Sequence, residues 1–153
     1  MRHEPVGSPQ GCSNFKLRQL TRRVSQRYDA QLAKAGLKGT QYSLLRHVAR
    51  LGPVRPGDLA RALAMDASTL TRNLRPLVAA GWIEMAAGRD ARSRPVTLTA
   101  SGRAKLREAQ RHWKAAQESM NRLLGIEGVL ALHAILDRTL QRLGQADAPA
   151  GDG

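Results

Sequence analysis

One cysteine, few acids, few aromatics and no long apolar run set the first limits on this chain. Cys12 is the single cysteine in 153 residues, so no internal disulfide can form, and the sequence fits a reducing compartment. No stretch reaches the roughly 18 apolar residues that a membrane-spanning helix requires. The opening MRHEPVGSPQGCSN lacks the apolar core of a signal peptide, which predicts a cytoplasmic protein. Aromatic residues make up 3% of the chain, and no helical stretch carries the long basic and aromatic face of a membrane-surface helix. His3, His47, His112 and His133 pair with no other histidine, cysteine or acid at metal-ligand spacing, so no metal and no cofactor are expected. A glycine-rich phosphate loop, a nucleophile spaced to a base and paired carboxylates are also missing, so the chain does not read as an enzyme. No internal repeat of 20–50 residues appears.

What the chain has in excess is positive charge. Lys and Arg number 25 against 12 acids, a net charge of +13, and the pI is near 11.4. Such an imbalance strains a compact fold by self-repulsion and suits a polyanionic partner, with nucleic acid and an anionic membrane surface the two candidates. Hydrophobic residues at 42% suffice for one domain with a buried core.

Apolar spacing is mostly helical. Leu17, Leu20, Val24, Tyr28 and Leu32 form a stripe from Phe15 to about Ala35, stopped by Gly36. Thr40 is the expected cap of a second helix carrying Leu44, Leu45 and Val48. Pro56 and Asp58 open a short third helix holding Leu59, Ala60 and Leu63. The fourth, about 67–80 with Asp66 as its cap, carries Leu70, Leu74, Leu77 and Val78 and contains Pro76, which should bend or shorten it. WIEMA and VTLT then read as two strands around the loop AGRDARSRP. Ser101 is the expected cap of a long helix over 102–124, and Gly125 separates it from another over 127–143. Their stripes are Leu106, Ala109, Trp113, Ala116, Met120 and Leu123, then Leu132, Ile135, Leu136, Leu140 and Leu143.

Two short helices followed by a hairpin are the element order of a winged helix-turn-helix. The fourth helix would then enter the major groove of double-stranded DNA. Its polar side carries Ser68, Arg72 and Arg75, groups able to bond phosphates or base edges. The hairpin loop gathers Arg89, Arg92 and Arg94 with only Asp90 to balance them, a cluster that repels itself unless an anion arrives.

MDASTLTRNLRPLVAAGWIE followed by GRDARSRPVTLTASGRA resembles the core of the MarR family, the multiple-antibiotic-resistance-type transcriptional regulators. The likeness runs from about Leu17 to Leu143 and is most specific between Leu59 and Arg103. It implies a mainly α fold with a small β-hairpin wing, a winged helix-turn-helix core, and N- and C-terminal dimerisation helices. It further implies that Ser68, Thr69, Thr71, Arg72 and Arg75 face DNA, and that Asp90 and Arg92 form an Asp-x-Arg wing motif whose arginine reaches the minor groove. Arg89 and Arg94 are further wing candidates. Ala67, where many members have a basic residue, and Pro95, directly after the wing arginines, depart from the family pattern.

The resulting division is a flexible arm over 1–14, a dimerisation helix and turn over 15–39, the DNA-binding core over 40–100, dimerisation helices over 101–144 and a flexible tail over 145–153. Wide apolar stripes at both chain ends call for a second copy as cover, so a homodimer on a pseudo-palindromic operator is expected. The family likeness implies repression, and release by a small aromatic or phenolic effector walled by Tyr28, Tyr42, Arg46, His47 and Trp113. Two alternatives stand beside this reading: a repressor of the same fold sensing peroxide through Cys12, and a non-specific DNA-binding architectural protein.

Overall fold

The computed structural model describes residues 10–87, 90 and 93–148. The elements are α1 (Ser13–Leu32), a single 3-10 turn (Ala33–Ala35), α2 (Gly39–Leu51), α3 (Pro56–Ala62), α4 (Ala67–Ala79), β1 (Ile83–Met85), β2 (Val96–Leu98), α5 (Ala100–Leu124) and α6 (Ile126–Asp147). They fall into two compact units, Met1–Trp113 and Lys114–Gly153. The mainly α architecture with one antiparallel hairpin is that of a winged helix.

In the first unit one apolar cluster joins every element. Leu32, Leu44, Leu45, Val48, Leu59, Leu70, Leu74, Leu77, Ile83, Val96 and Ala109 are all buried in it. Full burial of a large aliphatic side chain contributes about 1.5–3 kcal/mol, so these positions fix how α2, α3 and α4 pack against the hairpin. Ile83 pairs with Leu98 and Met85 with Val96. Val54, between α2 and α3, adds a single bridge to Val96 through N–H···O bonds of 3.1 and 2.8 Å. That one-residue edge is too short to leave a periodic signal.

Caps explain where the helices start, and two of them differ from expectation. α2 begins at Gly39, not after Thr40, because the Asp29 carboxylate of α1 accepts the Gly39 N–H at 2.7 Å. This bond spans two helices and is invisible in local sequence. α5 begins at Ala100 and is capped by Thr99, not by Ser101. The Thr99 hydroxyl accepts the Gly102 N–H at 2.9 Å and donates to the Gly81 carbonyl at 2.6 Å. α6 runs on to Asp147, past Leu143, where its apolar stripe had placed its end.

α4 behaves as its composition predicts. Asp66 caps it, and it ends in a paired turn in which Trp82 N–H bonds Leu77 O and Gly81 N–H bonds Val78 O. Gly81 supplies the positive φ of 74° that this ending demands. Pro76 costs the Arg72 carbonyl its usual intrahelical partner, but it lies one turn from the helix end, and buried Leu74 and Leu77 hold both sides.

Ala64, in the turn between α3 and α4, carries a positive φ of 52°. A Cβ in this left-handed region costs about 1–2 kcal/mol, while glycine loses about 0.5–1 kcal/mol of unfolded-state freedom. Ala64→Gly is therefore expected to stabilise the fold by about 0.5 kcal/mol or slightly more. Urea unfolding checks this, and a loss of stability would contradict it.

In the second unit, Ala116, Met120 and Val129 are buried, whereas Leu123, Leu124, Ile126, Leu130, Ile135, Leu140 and Leu143 remain at least one-third exposed. On α1, in the first unit, Phe15, Leu17 and Leu20 are likewise exposed. No helix among the described residues is long and apolar enough to cross a membrane.

Candidate nucleic-acid interface

α4 buries Leu70, Leu74 and Leu77 and so turns its other side to solvent. Ser68, Thr71, Arg72 and Arg75 are exposed there, and Thr69 is half-buried. The ion pairs among the described residues, Arg61 with Asp58 and Lys105 with Glu108, involve neither arginine of this face. No acid in that set neutralises Arg72 or Arg75, so both guanidinium groups keep their donors for another molecule.

The hydroxyls are in a different state. Asp66 gathers three donors: the Ser68 hydroxyl at 2.7 Å, the Thr69 N–H at 2.7 Å and the Thr69 hydroxyl at 2.8 Å. These bonds, that from the Ser68 hydroxyl foremost, hold the Asp66 carboxyl well below the usual carboxylate range. Thr71 donates its hydroxyl proton to the Ala67 carbonyl at 2.9 Å.

At the hairpin, Arg94 is exposed, and Asp90 accepts the Ser93 N–H at 2.9 Å, closing a tight turn. Arg89 and Arg92 lie outside the described residues. The root of the wing is held from α5, where Lys105 lies 5.4 Å from the Trp82 ring centre and donates to the Ala35 carbonyl at 3.0 Å and to Glu108 at 2.9 Å.

The second group of candidates converges. Tyr28, Tyr42, Arg46, His47 and Trp113 line one cavity of about 620 Å³, together with Val24, Ser25, Asp29 and Arg50, which sequence reasoning had not singled out. Trp113 stacks with Tyr42 at 6.2 Å and meets Tyr28 at 6.5 Å, and the Arg46 guanidinium lies 5.6 Å from the centre of its ring. His47 Nδ1 donates to the Ser43 carbonyl at 2.8 Å, a role fixed by the acceptor, which leaves Nε2 to the cavity side chains or solvent. The Tyr42 hydroxyl is buried with no hydrogen-bond partner of normal geometry among the described residues. Burial raises its pKa, a tendency that the nearby Arg46 charge only partly offsets. A buried hydroxyl without a well-formed hydrogen bond is costly, and Arg46 is the side chain that partly relieves it.

Cys12 is exposed and occupies the cap position of α1 without a side-chain cap bond. Its carbonyl accepts the Lys16 N–H at 3.1 Å. No cluster of three metal-ligating side chains exists among the described residues.

Comparison with known proteins agrees with this architecture. Residues 35–93 match the MarR family. An HTH-type transcriptional regulator of Bacillus subtilis, YwoH, is 29% identical over 93 residues, 61% of this chain and 68% of that protein. The M. tuberculosis transcriptional regulator MosR, solved in complex with DNA, is 31% identical with a TM-score of 0.71, covering 89% of this chain and 96% of the other. A variant of MarR from E. coli, complexed with operator DNA, shares the fold at 22% identity, with a TM-score of 0.74 and coverage of 83% and 92%.

Proposed function

We propose that this chain, which belongs to the MarR family of transcriptional regulators, is a sequence-specific repressor that binds a pseudo-palindromic operator as a homodimer. The observation that carries the reading is the solvent face of α4. Two guanidinium groups without an acid partner among the described residues, and three hydroxyls, stand opposite an apolar, buried side, on the second helix of a helix-turn-helix whose next element is the hairpin. An α-helix fits the major groove, where Arg recognises guanine and polar side chains recognise the other base edges. The DNA complex of MosR, whose sequence is nearly one-third identical, supports the same use of this fold.

The dimer reading is supported by the apolar side chains that stay exposed, Phe15, Leu17 and Leu20 in one unit and Ile126, Leu130, Ile135, Leu140 and Leu143 in the other. A second copy is the simplest cover. Two reading helices then stand about 34 Å apart, one turn of DNA.

The cavity beside α2 supports release by a small aromatic or phenolic effector. Stacked rings, flanking arginines and the Tyr42 hydroxyl, whose proton has no acceptor among the described residues, favour a flat molecule that carries a hydrogen-bond acceptor. Loss of DNA affinity would arise if the ligand-bound form held the two reading heads at a spacing the duplex does not match.

One titration tests the whole reading. Fragments selected from genomic DNA are compared with random duplex at physiological salt, with sedimentation of the same sample. A selected fragment is expected to bind at least about 1,000-fold more tightly than random DNA, to a sedimenting dimer, and to be displaced by small aromatic acids. Equal affinity for both duplexes would favour the architectural alternative, and a stable monomer at micromolar concentration would remove the dimer.

A further inference from the structure

Hydroxyl protons rotate freely in most proteins, so a serine or threonine on a reading helix can serve as donor or acceptor as the base requires. On α4 that freedom is absent. An ionised carboxylate has no proton to give, so Ser68 and Thr69 must each donate to Asp66. A main-chain carbonyl has none either, so Thr71 must donate to Ala67. All three protons are committed to Asp66 or to the Ala67 carbonyl, so each hydroxyl has only lone pairs left to offer an incoming base. Arg72 and Arg75, on the same helix, are donors only. The face is thus divided into fixed acceptors over its first turn and fixed donors beyond.

We infer that Asp66 is a specificity-determining residue. By holding the protons of Ser68 and Thr69 it makes the start of α4 select base amino groups, the N6 of adenine or the N4 of cytosine. Phosphates, guanine O6 and N7, and thymine O4 offer only acceptors in the major groove, so none of them can bond these hydroxyls without breaking the Asp66 network. The arginines take the complementary part and favour guanine. Asp66 touches no base in this scheme, because it acts through the two hydroxyls it orients. The inference rests on the DNA-reading role of α4 proposed above.

Selection from a randomised duplex library with the full-length protein tests it. Wild type is expected to enrich adenine or cytosine by about tenfold at one or two positions in each half-site, beside a guanine. Asp66→Asn keeps an oxygen to cap Thr69, and asparagine caps helices as well as aspartate does, so the fold is retained and melting confirms it. The amide N–H now donates to a neighbouring hydroxyl and frees its proton. Preference at that position should move toward guanine or thymine. Ser68→Ala and Thr69→Val, which leave the backbone N–H of residue 69 bonded to Asp66, should flatten the preference at single positions.

An unchanged motif from folded Asp66→Asn would overturn the inference. So would an unchanged motif from both hydroxyl variants, even if Asp66→Asn failed to fold. Absence of any enriched motif with wild type would instead remove the DNA-reading role itself, and the inference with it.

Discussion

Alanine at position 102 is expected to destabilise the protein by about 3 kcal/mol, although Gly102 lies inside the first turn of α5. Helix propensity alone predicts the opposite sign, a gain of about 1 kcal/mol for Gly→Ala. Geometry decides between them. A Cβ on Gly102 would overlap the Trp82 carbonyl oxygen, lie 2.8 Å from the Trp82 carbonyl carbon and 3.1 Å from Leu98 Cγ. The first two obstacles are backbone and cannot swing aside. Trp82 is held from both directions, its N–H on Leu77 and its carbonyl on Thr99 N–H. Relief would have to push α5 away from the wing root, opening contacts around Leu98 and Ile83. Urea unfolding of wild type and Gly102→Ala decides the sign, and a more stable variant would contradict the close approach.

The second large effect concerns binding. Arg72→Ala is expected to weaken the specific operator complex by about 1–3 kcal/mol, roughly 5- to 150-fold, and to relax preference at the base it reads. Arg72→Ala combined with Arg75→Ala should reduce binding further. Neither residue packs into the core or pairs with an acid among the described residues, so stability should change little. Fluorescence anisotropy at one fixed salt concentration, with random duplex as control, separates loss of selectivity from loss of charge. A double variant that binds the operator like wild type would place the reading surface elsewhere.

How much of this could be read from the letters depends on the range of each interaction. α4 was legible because Leu70, Leu74 and Leu77 repeat at three- and four-residue steps and Asp66 stands directly before them. The hairpin was legible because two short apolar segments flank a loop of Gly, Asp and Pro. The Asp29 bond to Gly39, ten residues away, and the Thr99 bond to Gly81, eighteen away, left no local trace, so Thr40 and Ser101 looked like the caps. Position 102 stood only as the start of the expected helix over 102–124, since the reason for its being glycine lies across the unit at Trp82.

The cavity was partly legible, and scarcity helped. With so few aromatic residues in the chain, the rings near α1, α2 and α5 were easy to single out, and three of them do meet. Asp29 and Arg50 were not, because polar residues on helices are too common to stand out, and an unpaired hydroxyl is a property of packing. The commitment of the α4 hydroxyls was missed although its ingredients were in view. An aspartate followed two and three residues later by serine and threonine at a helix start is a pattern that could have revealed it.

The end of α4 carries a mechanical consequence. Only Ala80, Gly81 and Trp82 separate the last turn of that helix from β1, and two backbone bonds close the joint while Thr99 clasps it from the far strand. Such a junction has no slack. Helix and hairpin root are thereby tied into one lever, so any displacement of α4 is expected to carry β1 with it.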